Sequence, residues 1–198
     1  MNEEQVVDAL LRILKNSGYS VKVMYTSSCK KNAPELHLRI NSSIGAEKRS
    51  GTLEQVRALF AENPSFVVTE KPDKIIEVSQ FHALQKLFQV KIKTLRFNSE
   101  TLYNPELSLG AAFDTPELVA AEKQLRIQSV MHAGSWPIDE GPGRKHLPPL
   151  MQNVTLDQIL FTTLTTFRGV FVYGQCMGPN AEAFFDFSYS RSDEFEPQ

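Results

Sequence analysis

Hydrophobic positions recur at helical spacing at the start of the chain and at strand spacing soon after. Val7, Leu10, Leu11 and Leu14 return every three or four residues, predicting a helix over residues 2–17 with one apolar face. Asn2 and Gln5 have the form of a capping box, and Gly18 supplies a left-handed stop. "YSVKVMY" alternates, placing Tyr19, Val21, Val23 and Tyr25 on one side of a strand. "TSSCKKNAP" reads as a polar loop. "ELHLRIN" reads as a second strand, with Leu36, Leu38 and Ile40 opposite His37 and Arg39. "TLEQV", from Thr52, opens a helix to about Glu62, with Thr52 as cap, Gln55 as its box partner and Leu53, Val56, Leu59 and Phe60 inside. Pro64 ends it, because a proline disfavours helical backbone in the residue before it. "FVVTE" and "KIIEVSQ" then form two strands around the turn "KPDK".

The same order returns late in the chain. "TLDQI", from Thr155, pairs Thr155 with Gln158 as a capping box, and Leu156, Ile159, Leu160, Leu164 and Phe167 supply the stripe. Gly169 ends the helix, and "VFVYGQC" and "AFFDFSYS" are strands on either side of "MGPNAE". In the second strand Phe185, Phe187 and Tyr189 share one side and Phe184 takes the other. That pattern suits a central core strand; if the strand is an edge, its backbone could accept a partner strand.

Between these segments, "FHALQKLF" finishes a strand or forms a short helix. "QVKIKTLRF" alternates, offering Val90, Ile92, Leu95 and Phe97 to a core. "NSETLYNPELSLGAAFD" reads as loop. "TPELVAAEKQLRIQ" reads as a helix with Thr115 as cap, Pro116 at its first position and Glu117 in its first turn. "HAGSWPIDEGPGRKHLPP" is a long irregular connection over 132–149, of the kind that often carries function. The expectation is therefore an α+β protein of two similar small units. Each is an amphipathic helix on a small mixed or antiparallel sheet with a hairpin, over 1–80 and 81–198, the second with an irregular insertion at about 98–150.

The matching positions are Thr52, Leu53, Gln55 and Val56, then Thr155, Leu156, Gln158 and Ile159, preceded by "LHLRIN" and "LPPLMQN". In that layout each half resembles the short N-terminal module of secretins and TonB-dependent receptors, and the whole resembles exported bacterial proteins that carry such repeats. The likeness covers about half of the chain and consists of packing positions. No barrel or secretin segment accompanies it. It implies a small noncatalytic protein–protein interaction module of the bacterial envelope or secreted space, with a protein partner such as an envelope component.

Composition narrows the function classes. The 198 residues are 41% hydrophobic and 22% charged, with a net charge of −2. That supports a real core and argues against nucleic acid as a partner, since a nucleic-acid binder shows a basic stripe. No window approaches the roughly 20 consecutive apolar residues of a membrane span, so no membrane insertion is expected. "MNEEQVVDALL" lacks the basic and apolar regions of a secretory signal. Taken literally this means the cytoplasm; if Met1 replaces a removed signal peptide, the protein is periplasmic or secreted.

Candidate chemistry is sparse. His37, His82, His132 and His146 are not spaced as metal ligands, and Cys29 and Cys176 are too few for a zinc site. No metal or cofactor is expected. The two cysteines either form one disulfide in an oxidising compartment or stand as independent thiols. "DEGPGRKH" combines glycine-rich backbone with Arg144, Lys145 and His146, and could hold an anion or remain solvated, while lacking P-loop spacing. Trp136 covers a core edge or anchors a partner. Trp136, Arg144, Lys145 and His146 are thus the candidate binding residues. The competing function is a small hydrolase or ligand-binding protein using a cleft under the 132–149 loop.

Overall fold

A computed structural model describes residues 1–30, 33–39, 51–80, 85–129, 145–178 and 182–192. The first helix, α1 (Glu3–Leu14), begins at the expected box: the Asn2 side chain accepts from the Gln5 N–H, and the Gln5 side chain accepts from the Asn2 N–H, each at 3.0 Å. Its buried stripe is Val6, Leu10, Leu11 and Leu14; Val7 is only half-buried. Strand β1 (Ser20–Lys30) follows, with Val21, Val23 and Tyr25 on the α1 side. It runs through "TSSC", which alternation alone marked as loop. There the side chains are mostly exposed, so pairing rather than burial holds the strand.

"ELHLRIN" is not a full ladder strand. Only β2 (Ala33–Pro34) pairs, antiparallel to β1. Leu36 and Leu38 are nevertheless buried as expected, and Ile40 lies outside the described residues. Helix α2 (Thr52–Phe60) puts Val56, Leu59 and Phe60 inside. Its cap is Gly51 rather than Thr52. Thr52 is already helical, so its hydroxyl sits one position too late to cap, and Leu53 is only half-buried. β3 (Phe66–Lys71) and β4 (Ile75–Gln80) form the expected hairpin around the turn Pro72–Lys74, where Asp73 and Lys74 take left-handed backbone.

A short helix α3 (Gln85–Phe88) leads into β5 (Lys91–Arg96), which buries Ile92 and Leu95. The stretch read as loop contains a helix, α4 (Pro105–Phe113). The Asn104 side chain accepts from the N–H groups of Glu106 and Leu107, and Pro105 sits where no helical N–H is needed. Its apolar residues do not form a single stripe, which is why no stripe announced it; Leu109, Ala112 and Phe113 are buried. Helix α5 (Pro116–Leu125) ends at left-handed Arg126 and feeds the short strand β6 (Ile127–Ser129). β7 (Leu150–Thr155) pairs with β5 in a separate two-stranded sheet. α6 (Leu156–Phe167) carries the expected box at Thr155 and Gln158 and buries the whole expected stripe. β8 (Gly169–Met177) and β9 (Ala183–Arg191) form the second hairpin.

Helices and strands thus mix, with six helices and one predominantly mixed seven-stranded sheet among the described residues. The sheet order is β3-β4-β1-β8-β9-β6, with β2 attached to β1. β4, β1 and β8 run parallel to one another; β3 opposes β4, β9 opposes β8, and β6 runs with β9. Both hairpins therefore join one sheet. One face is covered by α1 and α2 over Val21, Val23, Ile76, Val78, Val170 and Val172. The opposite face is covered by α3 to α6 and the small sheet over Met24, Ile75, Phe171, Tyr173 and Phe185.

Candidate functional site

The two cysteines meet at the C-terminal ends of β1 and β8, the two middle strands of this sheet. Register between parallel β1 and β8 sets Ser27 opposite Cys176 and Ser28 opposite Met177, bringing Cys29 alongside. Cys29 and Cys176 form a disulfide with Cα atoms 5.0 Å apart. Both sulfurs are therefore committed, and neither is a free thiol for nucleophilic chemistry. Cys176 is buried and Cys29 half-exposed. Beside the bond, Glu35 accepts from Lys30 at 3.2 Å and lies 3.1 Å from the His37 ring. The His37 hydrogen bond, followed by that of Lys30, holds the Glu35 carboxyl below its usual value. His37 is exposed and paired, as its place on the polar side predicts.

Of the four candidate binding residues, Trp136 and Arg144 lie outside the described residues, as do His82 and His132. Lys145 and His146 are exposed. His146 Nδ1 stands 2.8 Å from the Leu147 carbonyl oxygen, a group that only accepts, so this nitrogen carries the proton. The ring meets Tyr103 edge-on, with centroids 5.8 Å apart. Leu147 is buried and its N–H donates to Leu102 O at 3.1 Å, anchoring this end of the connection to the α4 side of the molecule. Lys145 and His146 are thus presented from a fixed base.

Two buried polar groups escaped sequence reading. Lys22, on β1, is buried beneath the start of α6. Its ammonium lies 2.5 Å from Asp157 and 3.2 Å from Glu77, and 5.2 Å from the centre of the Phe88 ring. Strand alternation marks Lys22 as facing away from Val21 and Val23, but only the topology shows that this side is also covered. Tyr173, on β8, is fully buried, and its hydroxyl has no hydrogen-bond partner among the described residues. Burial first, then the nearby Glu122 charge, pushes its pKa well up. Among the described residues no group of His, Cys, Asp and Glu is arranged to hold a metal ion, and no helix is long and apolar enough to cross a membrane.

The sheet leaves strand edges. The outer side of β3 has no neighbouring strand among the described residues, and β6 covers only Ala183–Phe185 of β9. β9 is therefore next to last rather than an edge over that stretch. Its Phe185 and Tyr189 are buried and Phe187 half-buried, the core placement expected for that aromatic run. No family model, no curated protein and no solved structure matches the chain.

Proposed function

We propose that this chain is a noncatalytic protein–protein interaction module of an oxidising compartment, the bacterial envelope or the secreted space. The observation that carries the reading is the Cys29–Cys176 bond, because protein disulfides persist where the surroundings are oxidising and are rare in the reducing cytosol. The likeness to the secretin and TonB-receptor module points to the same setting. The surfaces offered are the open edge of β3 and the connection that ends at Lys145 and His146.

We further infer that the chain is built from two copies of one unit. What supports this is order. Leaving aside β2 and β7, the first half runs α1-β1-α2-β3-β4 with sheet order β3-β4-β1; the second runs α5-β6-α6-β8-β9 with sheet order β8-β9-β6. In each, the hairpin is antiparallel and its second strand lies parallel to the unit's first strand, β1 or β6. The helices cover opposite faces, as they must if the second unit is turned over relative to the first.

Two measurements test the function. Protein taken from its own cells under acid quench and alkylated while denatured should carry no label; two alkyl groups would remove the oxidising compartment. Pull-down from an envelope extract should lose a partner when Trp136, Arg144 and Lys145 are all changed to Ala. Unchanged partners would remove the loop from the reading. Turnover of a substrate that disappeared with His146→Ala would overturn the noncatalytic assignment.

A further inference from the structure

We infer that the two ends of the sheet are complementary, so that β6 of one copy of the chain pairs in parallel with β3 of the next. This rests on the two-copy reading. In that reading β6 corresponds to β1, and β3 corresponds to β8. β1 and β8 are themselves paired in parallel in the middle of the sheet, from Val21 opposite Val170 to Ser28 opposite Met177. The molecule therefore already contains one example of the junction that its two ends could make.

Strand directions agree. β3 opposes β4, which runs with β1; β6 runs with β9, which opposes β8 and so opposes β1. β3 and β6 thus point the same way, and a simple shift of one copy along the sheet sets them side by side in parallel. An isologous pairing of β3 with β3 would instead need a two-fold axis and has no counterpart within the chain.

Backbone phase supplies the donors. The Ala183 N–H donates to Arg126 O at 2.9 Å, so Gln128 faces β9 and alternation turns the Ile127 and Ser129 amides outward. At the other end the Phe66 N–H donates to Asn63 O at 3.0 Å, away from β4, so the amides of Val68 and Glu70 point outward as well. Gln128 and Ser129 are exposed, and Val67 and Val68 are only half-buried. A head-to-tail contact of this kind does not close on itself, so it produces open assemblies that grow with concentration.

Proline blocks an outward amide without breaking a ladder bond on the inner side. Val68→Pro closes the β3 end and Ser129→Pro closes the β6 end. In sedimentation velocity the unaltered chain should gain mass with concentration, while each variant alone stays monomeric. Mixed together, the variants should form a complex of two chains and stop there. Dimers of Ser129→Pro alone would establish β3–β3 pairing and overturn the inference. An unaltered chain that stays monomeric throughout overturns it too, without touching the alkylation and pull-down tests of function. Should either proline variant lose its near-ultraviolet dichroism, amide exchange of the unaltered chain decides. Protection at Val68, Glu70 and Ser129 must rise together with concentration; protection at none or only one end sinks the proposal.

Discussion

Opening the Cys29–Cys176 bond should cost a large share of the protein's stability. The bond joins residues 147 positions apart in sequence, so the unfolded chain carries a long closed loop. On the chain-entropy account, a loop of this length destabilises the unfolded state by about 5 kcal/mol. Domains of ordinary stability hold only about 5–15 kcal/mol in total. The replacement Cys29→Ala with Cys176→Ala should therefore leave a protein near the edge of folding. With a urea slope of about 2 kcal/mol/M, the expected displacement of the midpoint is about 2.5 M.

The assay is urea denaturation of the oxidised protein, the reduced protein and the double alanine variant, followed by fluorescence and dichroism together. Reduced and double-variant proteins should agree to within about 1 kcal/mol, because both lose the same loop constraint. Cys176 is buried and Cys29 half-exposed, so reductant should attack from the Cys29 side. A midpoint that moves by less than about 0.5 M would refute the argument. It would mean that the unfolded chain is already restrained, or that the bond strains the folded one.

Other outcomes follow from the buried polar groups. Tyr173→Phe should raise stability by about 1 kcal/mol, because it removes a buried hydroxyl that has no partner among the described residues; a loss of that size would show that the hydroxyl is satisfied. The Glu122 carboxyl is pushed above its usual 4.5, first by burial and then by Asp114. Its stabilising, protonated form is fully present below about pH 4.5 and lost as pH rises through the folded value, so the advantage of Glu122→Gln should grow between pH 4 and 7. A constant difference across that range would show the carboxyl to be unperturbed. Lys22→Met should cost about 2–3 kcal/mol, less than a fully enclosed pair, because Asp157 is 44% exposed. A double-mutant cycle with Asp157→Asn should show coupling; additive losses would assign the cost to packing alone.

Legibility in the sequence follows the source of each element's stability. α1 and α6 announce themselves because a side-chain cap and a one-sided stripe coincide, at Asn2 with Gln5 and at Thr155 with Gln158. α2 shares the second motif but not its cap: Gly51 precedes Thr52, and the helix takes one residue more at its start. α4 is invisible to periodicity because it lacks a single stripe, although Asn104 and Pro105 mark its start. The polar end of β1 is held by β8, a partner far away in sequence, which local pattern does not contain. For the same reason local pattern does not decide between a disulfide and two thiols; the β1–β8 register, which sets Cys29 beside Cys176, does. Of the candidate loop, Lys145 and His146 proved exposed, while Trp136 and Arg144 lie outside the described residues.

The sharing of one sheet has a physical cause on the two-copy reading. A unit of three strands with helices on one side leaves its other side apolar and bare, and an element with two apolar faces needs a layer on each. Turning the second unit over meets both needs at once. Met24 and Ile75 of the first half lie in the core roofed by α6, and Val170 and Val172 of the second half lie in the core roofed by α1 and α2. Close fitting follows at the seam. Tyr25 lies over Gly174, where a Cβ would come within 2.4 Å of the ring, so a side chain there would displace it. The same tyrosine donates to Glu3 at 2.8 Å, and Ser188 of the second half donates to Glu3 at 3.1 Å. Ser20 of the first half donates to Leu164 O at 2.8 Å. Lys22 reaches Asp157 within the second "TL" motif itself, whereas Glu54, at the matching place in the first, pairs locally with Arg57. The two motifs thus differ by one residue in where the helix starts and differ in what their acidic residue binds: Asp157 meets Lys22 of the first half, and Glu54 meets Arg57 of its own helix.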